Sequence, residues 1–292
     1  MELYLIFPFL SSVLYVVAAL FIKRANTFEI GIWRSAFVTN VLTAVLFAGL
    51  WPMGGGPVVW AHMWQPLVVA ALFVAGQVLT FVALERGDVS VVTPALGAKT
   101  VFVAWLSTAV LGEMLPWQLW VAAVLSFLSV VLLNQRKTHL RAATGVTILF
   151  ALLAASAYAT FDILVQKWSP DWGTGRFLPI MFGLSALLSV GFIPAFRAPL
   201  GSIPRAAWKP LGAGALFMGL QALFLVSTIA RFGDATAVNV IYSGRGLWSV
   251  AAVWVVGHWF ANTERHAGGR VLARRLIGAA LMTAAIVLAL LR

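Results

Sequence analysis

The sequence has no cysteine, four histidines and little charge. Without cysteine there is no disulfide framework and no thiolate metal site. His62, His139, His258 and His266 are scattered in or beside polar loops, and none makes a close ligand pair. A membrane-embedded enzyme needs a metal cluster or a nucleophile with its base. The chain supplies neither, so the reading is non-enzymatic, with no cofactor and no metal. No Gly-x4-Gly-Lys-Ser/Thr loop is present to cradle ATP, which leaves gradients or exchange as the energy source. The N-terminus lacks a basic n-region and reads as a first span, not a cleaved signal.

Charge is the decisive scarcity. Only 10% of the 292 residues are charged, 62% are hydrophobic, and the mean hydropathy is +0.96. A soluble domain is about a quarter charged and about half apolar. A water-soluble fold could not hide this much apolar surface, so lipid is the solvent. Lys and Arg number 20 against nine acidic residues. In a soluble protein that excess suggests nucleic acid. Here the cations lie in short loops between apolar runs, where they act as topology signals, and no nucleic-acid partner is expected.

Ten runs are long enough to span a bilayer: 3–22, 30–50, 66–84, 89–111, 117–133, 145–165, 177–196, 211–230, 235–257 and 271–291. Their length indicates helices, since a strand crosses in about ten residues. Trp51, Trp60, Trp64, Trp117, Trp120, Trp168, Trp172, Trp208 and Trp259 stand at run ends, as an interfacial belt would place them; Trp105, Trp248 and Trp254 fall inside runs. With the N-terminus outside, thirteen Lys and Arg fall in cytoplasmic loops and four on the other side. The positive-inside rule thus places both termini outside the cytoplasm. Arg34, Lys99 and Arg245 remain within runs. The alanine-rich, cysteine-free composition suggests a bacterial inner membrane.

The basic loop "NQRKTHLRAAT" (134–144) divides the runs five and five, giving repeats 1–138 and 139–292. "RGDVSVVTPALGAKTVFVAWLS" (86–107) aligns without gaps on "FGDATAVNVIYSGRGLWSVAAV" (232–253) at an offset of 146, with Lys99 on Arg245. Tyr15 corresponds to Tyr158, Lys23 lies near the counterpart of Lys167, and Arg34 and Arg176 each open the second run of their half. An odd number of spans per repeat turns the halves upside down to one another, as in secondary transporters. The expected fold is an all-α integral membrane protein of ten transmembrane helices in two inverted five-helix repeats.

The chain resembles the drug/metabolite transporter superfamily, in particular its EamA-type ten-helix members. The resemblance rests on the five-plus-five layout and on "ALERGDVSVVTPALGAKTVFVAWLSTAVLGEMLPWQLWVAAVLSFLSVVLL", with Gly112 and Glu113 ending the fourth span. "RRLIGAALMTAAIVLALL", with Gly278, echoes it, and "GIWRSAFVTNVLTAVLF" is similar to the family's second span, which often opens with an arginine, here Arg34. The chain departs from the pattern where members place a proline near Lys99 and Thr100, and where Gly-Glu is degraded to Gly257-His258. The resemblance implies a central cavity between the repeats and transport of amino acids, nucleotide-linked sugars, phosphorylated sugars, choline-like cations or drugs. It also implies, from distant phosphate-translocating members, a cation on helices four and nine, here Lys99 and Arg245.

A central Lys or Arg costs about 2.5–3.5 kcal/mol on insertion scales, so something must offset it. One reading is an internal salt bridge with Asp162, the one acidic residue well inside a run. The other is a substrate anion held by Lys99 and Arg245, for which a planar guanidinium and a compact ammonium are both suited. Tyr242 and Trp248 at three-residue spacing from Arg245, and Leu96 and Phe102 from Lys99, would line the same faces. Tyr15, Gln77 and Asn239 complete the candidate substrate-binding set. Ser11, Ser12, Thr80, Tyr158 and Gln221 are further polar groups that could equally join helix–helix hydrogen bonds. Asp162 is read as a coupling group, as a counter-ion, or as a partner of Lys167 near the helix end.

The expected function is a secondary-active exporter or exchanger of a small anionic or zwitterionic metabolite, working by alternating access. The alternative is an amino-acid or amphipathic drug/metabolite exporter in which Lys99 and Arg245 are structural charges; a channel is a further reading. The partners are a small-molecule substrate, the lipid bilayer, and a proton or counter-substrate; the assembly is a monomer or homodimer.

Overall fold

The computed structural model describes residues 3–87, 89–134, 144–249 and 269–291. The 138/139 repeat boundary, His139, His258, His266, Trp254, Trp259 and Gly257 lie outside them. Among the described residues there are helices and no strands. An apolar run in lipid can satisfy its backbone polar groups only within itself, and the helix does so.

The helices are α1 (Ile6–Asn26), α2 (Ile32–Ala48), α3 (Trp64–Arg86), α4 (Val89–Gly97), α5 (Lys99–Leu111) and α6 (Trp117–Asn134), then α7 (Thr144–Trp172), α8 (Thr174–Leu188), α9 (Arg205–Phe232), α10 (Ala235–Tyr242) and α11 (Gly269–Leu290). Seven helical stretches among the described residues are long and apolar enough to cross a membrane, and Trp117–Leu133 and Leu276–Leu290 are shorter apolar helices. Large apolar side chains such as Ile6, Val45, Leu187 and Leu276 are more than 60% exposed. Water would penalise that surface and lipid accepts it. The chain is an integral membrane protein.

Two expected spans are broken. The run 89–111 divides into α4 and α5 at Ala98, and α10 ends at Tyr242 before helix resumes at 245–249. Pro94, inside α4, removes one backbone donor just before the first break. Ser243 and Gly244 form the second. The two breaks fall at corresponding points of the alignment of 86–107 on 232–253. Lys99 is the first residue after one, and Arg245 the first after the other.

Packing is pairwise. α1 lies along α9, α3 along α7, α6 against α11, and α2 against both α8 and α9. The ends of α2 and α8 clasp one another. Gly31 and Gly173 precede these helices with φ of 81° and 76°, a left-handed conformation that favours glycine. Three residues on, Arg34 donates to the carbonyls of Glu29, Ile30 and Pro199 and to the Ser202 hydroxyl, which joins the start of α2 to the loop after α8. Arg176 donates to the Trp51 carbonyl at 2.7 Å and lies 4.3 Å over the Trp51 ring, joining the start of α8 to the loop after α2.

The aromatic belt needs one correction. Trp51, Trp60, Trp64, Trp117 and Trp208 are exposed, but Trp172 is 1% exposed, and its Nε1 donates to Gln65 Oε1 at 2.8 Å. Gln65 gives the indole nitrogen a buried partner, so the ring packs in the core instead of facing the headgroups.

Candidate functional site

The helix breaks bring the charged residues together. Lys99, opening α5, places its Nζ 2.7 Å from Asp162 Oδ2 on α7, with the side chains 18% and 1% exposed. Asn239 on α10 donates to the same Oδ2 at 2.6 Å and to the Ala235 carbonyl at 2.9 Å. Thus three helices meet on one carboxylate. Asp162 meets Lys99 and not Lys167, whose side chain is exposed. The packing of α5 on α7 sets this partner; separation along the chain does not.

Arg245 has different surroundings. Its guanidinium lies 4.4 Å from the Tyr242 ring centre and 4.7 Å from that of Tyr15. The two rings meet edge to face at 6.1 Å. Tyr158 on α7 lies within electrostatic reach of Arg245 and beside Thr80. No carboxylate of the described residues pairs with Arg245. Cation–π contacts reduce the cost of the buried charge without neutralising it. Tyr15, Tyr158, Lys99 and Arg245 are all half-buried. Two cations and one carboxylate leave this group with one net positive charge.

The remaining candidates are more dispersed. Trp248 meets Phe9 edge to face at 5.3 Å. Gln77 exchanges two hydrogen bonds with Asn40 of α2, at 2.8 and 2.9 Å, which commits its amide to another helix. Gln221 accepts from the Ser11 hydroxyl through its carbonyl and its Oε1, and the Ser12 hydroxyl turns back to the Phe9 carbonyl. Phe102 and Trp105 open onto a lateral apolar recess of about 450 Å³ between α5, α6 and α7, shared with Trp120 and Ser156. Trp105 is 60% exposed there.

Sequence reasoning missed a polar latch at one end of the bundle. Gln166 Nε2 donates to Glu113 Oε1 at 2.6 Å and to the Gly233 carbonyl at 2.7 Å, while its Oε1 accepts from the Ala235 N–H at 2.8 Å. It ties the chain after α5 to the start of α10. Nothing in the local sequence around Gln166 marks it. Asn40, by contrast, had a signal, a lone amide in the apolar run "AFVTNVLTA". Tyr158 packs flat on α3, since a Cβ at Gly76 would come within 2.7 Å of its ring.

Residues 2–135 match the model of the EamA-like transporter family. No curated protein matches the chain in sequence. A solved structure described only as "Crystal structure of protein" superposes with a TM-score of 0.73 at 15% identity, over 99% of this chain and 98% of its own. That likeness concerns the fold. This first part of the chain is similar to the EamA-like transporter family, a family of membrane transporters within the drug/metabolite transporter superfamily.

Proposed function

We propose that the chain is a membrane transporter of the EamA-like family, and within it a secondary-active exporter or exchanger of a small anionic or zwitterionic metabolite, working by alternating access. The observation that carries the reading is Arg245. Its guanidinium stands half-buried between the Tyr15 and Tyr242 rings, and no carboxylate of the described residues neutralises it. A cation without a carboxylate partner is suited to a carboxylate or phosphate, which a guanidinium can grip through two parallel hydrogen bonds. Tyr15 and Tyr242 supply aromatic surface beside it, and Lys99 is a second cation. Asn239 and Asp162 act one step back, through Lys99.

The architecture proposed is ten spans in two inverted repeats, 1–138 and 139–292. Four observations support it: matched helix breaks before Lys99 and Arg245, matched positive-φ glycines before α2 and α8, reciprocal arginine clasps, and the pairing of α1 with α9 as of α3 with α7. Each clasp needs its two loops on one side of the membrane, hence an even number of crossings between them, as the ten-span count has. Broken helices at mid-membrane are tolerated where they line a cavity, and they hold the substrate in transporters of this build. In the proposed orientation both termini lie outside the cytoplasm, which the cation count supports, and the composition supports a bacterial inner membrane.

A second reading is favoured by the Lys99–Asp162 pair. If both cations are structural, the substrate is an amino acid or amphipathic compound. Counterflow in proteoliposomes distinguishes the two, with phosphorylated sugars, dicarboxylates, aromatic amino acids and organic cations as the panel. An anion should exchange, and Arg245→Gln should weaken it about tenfold or more, the worth of a charge-assisted hydrogen bond. Arg245→Lys should recover part of the loss. Transport confined to cations or neutral compounds, with Arg245→Gln acting only on stability, overturns the anion reading.

A further inference from the structure

The Asp162 carboxylate is asymmetric. Oδ2 takes both donors, the Lys99 ammonium and the Asn239 amide. Oδ1 is equally buried and accepts no hydrogen bond from the described residues. Buried carboxylate oxygens normally have partners. An oxygen without a donor can take a proton without displacing one, while Oδ2 keeps accepting from Asn239. Lys99 is more exposed than Asp162.

The surrounding charges leave this carboxylate with few neighbours. α7 packs against α3, α4, α5, α8, α9 and α10. From α5 it meets Lys99, and from α10 it feels Tyr242. On α7 itself, Tyr158 lies one turn before and Lys167 faces out. Arg245 acts on Tyr158 and Tyr242. α4 has no titratable side chain; α3, α8 and α9 carry theirs near their ends, at Glu85, Arg86, Arg176, Arg205, Lys209 and Arg231. Lys99 is therefore the charge that responds when Asp162 changes state.

We infer that Asp162 is a proton-binding site that couples proton movement to anion movement. This rests on the anion reading above for its second half. One proton from the aqueous phase binds Oδ1 and forms an O–H bond; no other reactant is consumed. The carboxylate becomes neutral, and Lys99 loses its counter-charge. It then holds the substrate's anionic group beside Arg245. The local charge rises from one positive to two, matching a divalent anion. Loss of the proton returns Lys99 to Asp162 and expels the anion. One proton accompanies each divalent anion.

Two measurements separate this inference from the anion reading. The first needs no substrate. Infrared difference spectra of the reconstituted native protein on acidification should show a buried carboxylic-acid C=O band that Asp162→Asn lacks. No such band in the native protein overturns the proton site. The second uses any panel anion that exchanges. In native proteoliposomes a pH gradient should drive its accumulation, and its addition should drive proton flux read by an entrapped pH dye. Asp162→Asn, which mimics the protonated acid, should keep exchange and lose both gradient-driven accumulation and proton flux. Net anion uptake into anion-free vesicles of the native protein without proton flux overturns coupling even if the variant does not fold. A band without any anion transport leaves the proton site standing and overturns the anion reading.

Discussion

Asn40 and Gln77 are two amides that satisfy each other across α2 and α3. In lipid neither could find water, so the reciprocal pair fastens the two helices. Asn40→Ala leaves the Gln77 amide without its partner and should cost about 1–3 kcal/mol, read as a lower Tm in detergent. A double-mutant cycle with Gln77→Leu should give a coupling of about 0.6–1.7 kcal/mol, the range for interhelical hydrogen bonds in membranes. The KM for the transported substrate should not change. A KM rise with no loss of Tm would make Gln77 a substrate group. The residue scale is also where the sequence was least legible. Lys99, Arg245 and Asp162 were evident as expensive charges in apolar runs. Which of them pair depends on α5 packing against α7 and α10 delivering Asn239, and no spacing along the chain encodes that.

At the scale of elements, apolar length revealed the helices, because lipid leaves a long apolar run no other structure. It concealed the breaks. The run 89–111 reads as continuous because Lys99 is its only charge, yet Pro94 and Gly97 lie just ahead of the discontinuity, as Ser243 and Gly244 mark the other. The clasp was half legible: Arg34 and Arg176 were visible as matched openings of the second span in each half, while the carbonyls they hold lie far off in sequence. Close approach behind the Arg176 clasp gives a test within one helix. At Gly175 a Cβ would be driven into the Gly54 carbonyl and within 2.8 Å of the Leu50 carbonyl, both backbone atoms that cannot step aside; at Gly183 nothing lies within 4 Å. Gly175→Ala should destabilise by about 1–3 kcal/mol through overpacking. Gly183→Ala should be neutral or stabilise by up to about 1 kcal/mol, the helix preference of alanine over glycine. Thermal unfolding of the two variants side by side decides it. Equal effects would mean that the 50–55 loop does not rest on the start of α8.

For the whole molecule, orientation follows from charge and the clasps make it checkable. Arg176 binds Trp51, so the loop carrying Ala61 shares a side with the start of α8. Arg34 binds Pro199 and Ser202, so the turn carrying Thr27 shares a side with the loop after α8. Thirteen of the loop and terminal cations lie on the Thr27 side by the ten-span count, which predicts a cytoplasmic location for that side. The absence of cysteine means that a single introduced thiol reports alone. Both positions are exposed. In intact cells, a membrane-impermeant maleimide should label Ala61→Cys at once and Thr27→Cys only after the membrane is opened. The reverse pattern would invert the molecule while keeping its span count. Labelling of both in intact cells would mean that α2 does not cross the membrane, and would overturn the ten-span, two-repeat architecture.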